Sequence, residues 1–167
     1  MQLQSNKDLP GAKRVVVKVG SSSISGENQH KIEKLVDALA AAHKTGQEVI
    51  LVTSGAIATG MPLLKLESKP DDLATSQALA SVGQGRLISR YQTSLERYDL
   101  IAGQVLLTAQ DLEGSETREN AKRAMERLVS LRVIPIVNEN DTVVNDEIKF
   151  GDNDTLGALV ANLVEAD

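Results

Sequence analysis

The sequence predicts an α/β protein with a mostly parallel sheet and helices on both of its faces. Strand-like and helix-like segments alternate along the 167 residues, and the strand-like runs are unbroken and aliphatic. Alternation at these distances implies βαβ crossovers, and an unbroken β-branched run is expected of a strand covered on both faces.

Arg14 to Val19 (RVVVKV) reads as the first strand. His30 to Lys44 places Ile32, Leu35, Val36, Leu39 and Ala40 at helical spacing, with Gly46 where a helix stop belongs. Glu48 to Val52 (EVILV) is a second strand, and a long helix runs from about Leu73 to Tyr98, weakened by Gly83 and Gly85. Ile101 to Leu107 is a third strand, interrupted by Gly103. Arg118 to Leu131 is a helix with Ala121, Ala124, Met125 and Leu128 on one face. Val133 to Val137 (VIPIV) is a fourth strand whose Pro135 requires a strand end or a bulge. A last helix runs from about Thr155 to Val164 and finishes at Glu165-Ala166-Asp167, so the chain reads as stopped in the middle of a doubly wound architecture.

Composition narrows the function. A chain of this length buries roughly 70% of its unfolded surface and needs no disulfide or structural metal. The absence of Cys removes thiolate zinc sites, iron–sulfur clusters and cysteine nucleophiles, and fits a reducing, cytoplasmic setting. A net charge of −5 and only three aromatic residues argue against nucleic acid, which needs a basic face and stacking platforms. No signal-peptide segment or long uncharged run points to a membrane.

The polar clusters fall after the strands, where ligands bind in open parallel sheets. Lys18-Val19-Gly20-Ser21-Ser22-Ser23 closes the first strand. A lysine in an aliphatic strand is costly to bury unpaired, so Lys18 is expected at the exit, with Gly20 and the serines turning N–H groups toward an anion. The bland alternative is an exposed lysine before an ordinary loop. The segment is no Walker A loop, since G-x4-G-K-[ST] is absent. Thr53-Ser54-Gly55-Ala56 closes the second strand and offers a small-residue pocket. Ser54 cannot sit on a nucleophile elbow, because Val52 stands where glycine is required. With only His30 and His43 in or beside one helix, a serine triad has no base. Gly83-Gln84-Gly85 starts like a dinucleotide fingerprint, but no strand precedes it and Ile88 replaces the third glycine, so it is read as chance.

Six carboxylates (Glu139, Asp141, Asp146, Glu147, Asp152, Asp154) crowd the 16 residues after the fourth strand, with Lys149 the one cation and Asn138, Asn140, Asn145 and Asn153 adding amides. Such runs are usually solvated loops, and Asp152 or Asn153 is a candidate helix cap. Polar groups this close to apolar segments are nevertheless usually held by partners or a ligand. The cluster suits a bound ammonium, or Mg²⁺ shared with phosphate oxygens; a dedicated protein metal site is not expected. With no covalent nucleophile, this inventory fits phosphoryl transfer, which relies on positioning and charge neutralisation.

VVVKVGSSS, ILVTSGAIATG, ASVGQGRLI, GQVLLT, VIPIVNENDTV and IKFGDNDTLGALVA resemble, in order and spacing, the N-terminal part of glutamate-phosphorylating members of the amino acid kinase family. The similarity covers Lys13 to Asp167, and the NEND and FGDND motifs are its most specific part. It implies a three-layer α/β/α sandwich in which residues 1–12 are a polar tail. Residues 13–167 would be the amino-acid-binding part of a kinase domain, without the nucleotide-binding part. It also implies ATP-dependent phosphorylation of the γ-carboxylate of L-glutamate, the first step toward proline, with Mg²⁺ held mainly through the ATP phosphates. The alternatives are a carboxylate or carbamate kinase of the same family, or a non-catalytic glutamate- or proline-binding module. By the resemblance, Lys18 and Asp154 are catalytic and Lys18, Gly20 and Ser21 face the ATP phosphates. Ser54, Gly55, Asp141, Asn153 and Lys149 lie in the glutamate region. Proline is a candidate feedback inhibitor, and a homo-oligomer is expected.

Overall fold

Arg14–Lys18 (β1), Glu48–Val52 (β2), Ala102–Leu107 (β3) and Ile134–Glu139 (β4) form one all-parallel sheet in the order β1-β2-β4-β3. The computed structural model describes residues 9–68, 70–144 and 153–167. The helices are Ser21–Ile24 (α1), Lys31–Lys44 (α2), Ala56–Leu63 (α3), Leu73–Glu96 (α4), Ala109–Glu113 (α5), Ser115–Ser130 (α6) and Asn153–Leu163 (α7).

The aliphatic strand runs divide by parity between the two faces. Val49 and Leu51 of β2, with Ile134 and Ile136 of β4, pack against Val36 and Leu39 of α2 and Leu87, Tyr91 and Leu95 of α4. Ile50, Val52 and Val137 pack on the other face, against Met125 and Val129 of α6 and Leu156 and Val160 of α7. Successive side chains of a strand point to opposite faces, so a strand covered twice must be apolar at every position. Full burial of each such side chain stabilises the fold by about 1.5–3 kcal/mol.

Local signals set several boundaries. The Asp72 carboxylate accepts from the Thr75 N–H at 2.8 Å and caps α4. Thr108 and Asp111 form a reciprocal capping box at the start of α5. Leu9–Ala12, at the end of the expected tail, is held by Gln47, whose Nε2 donates to the carbonyls of Leu9 and Ala12 at 2.8 Å each. Pro135 is the second residue of β4, and pairing with β2 begins only at Ile136, so its missing N–H is not required there.

The short helices α1, α3 and α5 are absent from the sequence expectation. Helix α3 (AIATGMPL) contains Gly60 and Pro62 and has little amphipathic period. Its conformation depends on α4. A Cβ on Gly60 would lie 2.2 Å from the Leu79 carbonyl oxygen, and one on Gly83 would lie 1.8 Å from that of Ala56. The two helices thus cross with backbone against backbone at two glycines. The Gly83 that weakens α4 by local propensity is what allows α3 to dock.

Candidate active site

The chain leaves β2 into α3, and the described residues after β4 lie against α3 and α4. Asn140, Asp141 and Thr142 sit beside Ala56, Ala80 and Gln84, and Gln77 Nε2 of α4 donates to the Val144 carbonyl at 3.1 Å. Because β2 and β4 are neighbours, the segments that follow them meet beyond the carboxyl ends of the strands, where ligands bind in open parallel sheets. A cleft of about 260 Å³ lies among the segments following the strands, lined by Ser21, Ser54, Gly55, Asn138, Asp141 and Asn153, among others.

One wall is built to donate. Gly55 adopts φ 97°, a left-handed conformation that favours glycine, and a Cβ there would approach the Ser21 Cβ to 3.3 Å. This turn starts α3 without a side-chain cap, and the first-turn residues Ala56, Ile57 and Ala58 border the cleft. First-turn N–H groups of a helix have no intrahelical partner and favour an anionic group. Ser54 is anchored by its hydroxyl, which donates to the Val19 carbonyl at 3.2 Å.

The opposite wall is built to accept. Asp141 and Glu139 contribute carboxylates, and beneath them lies a buried amide network. Asn153 Nδ2 donates to the Thr53 carbonyl and to Asn138 Oδ1, the latter at 2.9 Å. Asn138 Nδ2 donates to Gln84 Oε1 at 2.8 Å, and Asn138 Oδ1 also accepts from the Glu139 N–H at 2.9 Å. Thr53 and Tyr91 share a hydroxyl–hydroxyl bond of 2.9 Å. Burial pushes the Tyr91 phenol up to about 12, with the Thr53 hydrogen bond opposing the shift, so Tyr91 stays protonated at physiological pH.

Lys18 is the last residue of β1 and forms an ion pair with Asp154 in the first turn of α7. Gly157, one turn further along α7, lies beside the lysine stem: a Cβ there would be in ordinary contact with Lys18 Cβ at 3.4 Å. The cleft's lining includes Ser21, Ser54, Gly55, Asp141 and Asn153 but not Lys18, Gly20 or Asp154. Lys149 lies outside the described residues, as do Asp146, Glu147 and Asp152. Asn153 is the first residue of α7, and both of its amide protons go to partners in the core; Asp152, the other candidate cap, lies outside the described residues. Sequence reasoning set Gln84 aside within a chance motif; in the structure it orients Asn138. No group of three His, Asp or Glu able to hold a metal occurs among the described residues. No helix among them is long and apolar enough to cross a membrane.

Residues 13–167 match the amino acid kinase family. The chain belongs to that family. It is 65% identical over its whole length to the glutamate 5-kinase of Clavibacter sepedonicus, covering 64% of that protein. It is 64% identical to the glutamate 5-kinase of Leifsonia xyli subsp. xyli, covering 62% of it. The more distant glutamate 5-kinase of Thermobifida fusca is 53% identical over 98% of this chain, which covers 43% of that protein. For an amino acid kinase family chain, the all-parallel sheet with helices on both faces is the expected α/β architecture, and here it spans less than two thirds of these relatives' lengths.

Proposed function

We propose that this chain carries the amino-acid-binding side of a glutamate 5-kinase, which phosphorylates the γ-carboxylate of L-glutamate with ATP on the path to proline. The observation that carries the reading is the two-sided cleft. N–H donors at the start of α3 face a carboxylate and amide wall across about 260 Å³, a volume and polarity suited to a small zwitterion. The identity of the relatives as glutamate 5-kinases supports glutamate as that zwitterion. Residues 13–167 then form the substrate part of the kinase domain.

In this reading Asp141, with Glu139 beside it, receives the α-ammonium, and Asn153 accepts through its remaining amide oxygen. Ser54, Gly55 and the first turn of α3 supply donors to a substrate carboxylate. One γ-carboxylate oxygen attacks the terminal phosphorus of ATP, the bond to the leaving phosphate oxygen breaks, and an acyl phosphate and ADP result. Lys18 places its ammonium beside the migrating charge, and Asp154 holds that ammonium in position. Gly20 and Ser21, at the turn following β1, contribute phosphate-facing N–H groups. ATP supplies the phosphoryl group, and Mg²⁺ is carried mainly on its phosphates.

Lys149 belongs to the glutamate region in this reading. Proline, which shares the α-ammonium and α-carboxylate pattern, is expected to compete for the same wall. The protein is expected to act as a cytoplasmic homo-oligomer. A coupled assay of the intact protein with ATP, Mg²⁺ and a panel of carboxylates tests the reading. Glutamate-dependent ADP release that is lost in Lys18→Ala is the expected result. Turnover with another carboxylate or a carbamate, and none with glutamate, would overturn the substrate assignment. Glutamate binding without any turnover in the intact protein would favour a non-catalytic module.

A further inference from the structure

A second cavity lies in the groove between α2 and α4, on the outer layer, and shares no lining residue with the cleft. At about 460 Å³ it falls within the range of small-ligand sites. Its α4 wall presents Arg86, Ser89, Arg90 and Thr93, residues three or four apart and therefore on one helix face.

Two features of this wall are unfavourable as they stand. Nη1 of Arg90 is buried and has no hydrogen-bond partner. Leaving a buried charged donor unpaired is among the costlier defects a fold can carry. Arg86 and Arg90 also stand one helical turn apart with like charge, a destabilising pairing. Burial, and then the charge of Arg86, weaken the hold of Arg90 on its proton. No ion pair is formed by either residue among the described residues.

Neighbouring charges do not cancel the excess. Arg97, also in the lining, is committed to Asp37 at 2.7 Å and to the carbonyl and hydroxyl of Ser94. Glu33 is the one acidic residue of the lining. Two uncommitted guanidiniums against one carboxylate leave a positive balance, in a protein whose net charge is −5.

We propose that this cavity binds the phosphoryl group of a small molecule, with Arg90 and Arg86 as its cationic grip and Ser89 and Thr93 as hydroxyl donors. A guanidinium matches the oxygens of a phosphate bidentately. Two guanidiniums from successive turns, with hydroxyls between them, suit a dianion with oxygens in three dimensions better than a planar carboxylate, which a single fork satisfies. Such a ligand places negative charge beside Arg90 and relieves the repulsion between the two arginines. Because the groove is separate from the cleft, the site would bind alongside the amino acid rather than in its place.

Calorimetric titration of the intact protein with inorganic phosphate, pyrophosphate and succinate at constant ionic strength tests the proposal. Saturable phosphate or pyrophosphate binding is expected, weakened at least about tenfold in Arg90→Met, which keeps the alkyl stem but removes the charge. Arg86 is exposed, so Arg86→Gln leaves the fold intact and should still weaken binding several-fold. The proposal fails if the wild-type protein shows no saturable phosphate binding, or if both variants bind as the wild type does. A preference for succinate over both phosphate probes also overturns it.

Discussion

Asn153 gives one amide proton to the carbonyl of Thr53 and the other to Oδ1 of Asn138, tying the first residue of α7 to the ends of β2 and β4. With both donors used in this way, its amide oxygen is the group left to accept from a ligand. Asn138 is fixed in turn by Gln84, whose Nε2 lies 3.4 Å from Gln104 Oε1. The wall of the cleft is therefore oriented by a relay reaching back into α4.

Breaking that relay at its base should be felt at the cleft. Gln84→Met leaves the buried Asn138 amide without its acceptor and should cost about 1–3 kcal/mol in denaturant unfolding. In the intact enzyme it should also raise KM for glutamate more than it lowers kcat. Wild-type stability together with wild-type KM would show that the relay orients nothing.

Two glycines two residues apart in α4, and so on different faces of the helix, should respond in opposite ways. Gly83→Ala drives a methyl into the Ala56 carbonyl and should destabilise by about 1–3 kcal/mol or more as α3 is pushed away. Gly85 has open space around its Cβ position, so Gly85→Ala should be neutral or stabilise by up to about 1 kcal/mol through helix propensity. Thermal unfolding of the two variants side by side is sufficient; equal effects would refute the backbone crossing.

The Lys18–Asp154 pair should matter to rate and hardly to stability. Its side chains are 28% and 68% exposed, and accessible ion pairs contribute about 0–1 kcal/mol. Lys18→Met is expected to lower kcat by about 10²–10³-fold, in the range found on removing one preorganised donor to a transition state. Asp154→Asn should reduce mainly kcat, and Asp141→Ala should raise mainly KM for glutamate. A KM-dominated effect from Asp154→Asn would count against its role in holding the lysine.

Stability should fall on mild acidification through His43. Its Nε2–H donates to the Arg132 carbonyl at 3.2 Å, while Nδ1 accepts from the Arg132 guanidinium at 3.1 Å, an arrangement open only to the neutral ring. Burial first, and then the Arg132 charge, hold its pKa below the ordinary histidine value. The unfolded chain therefore takes up this proton before the folded one does. The stabilisation is complete above about pH 6.5 and is lost as pH falls through the depressed folded value. Urea midpoints measured between pH 7.5 and 5.5 should fall in the wild type and flatten in His43→Gln; parallel curves would exclude His43 as the cause.

Legibility in the sequence followed the range of the interactions. Both faces of β2 could be read from EVILV, because a doubly covered strand writes its burial into consecutive residues. Helices α2 and α6 could be read from their apolar stripes, and the polar turns after β1, β2 and β4 from the abrupt end of each aliphatic run. Helix α3 could not be read, since its glycine and proline oppose local helix formation and its docking relies on a backbone approach to α4 that is remote in sequence. Asp152 or Asn153 could be read as a helix cap because capping is a local role; the core partners of Asn153, Thr53 and Asn138, are remote in sequence and adjacent only after the sheet forms.

The residue types and their order thus determined the α/β class and the strand ends at which the polar clusters gather, while the resemblance grouped Ser54, Gly55, Asp141 and Asn153 and set Ser21 apart with the phosphates; the cleft is lined by all five. Tertiary structure decided how those groups face one another. The order β1-β2-β4-β3 makes β2 and β4 neighbours, so that Ser54 and Gly55 line one cleft with Asn138, Asp141 and Asn153. The Gln84–Asn138–Asn153 relay and the unpaired Arg90 guanidinium arise from contacts between separate helices and strands. Periodicity records whether a residue is buried, but not which distant polar atom will meet it there.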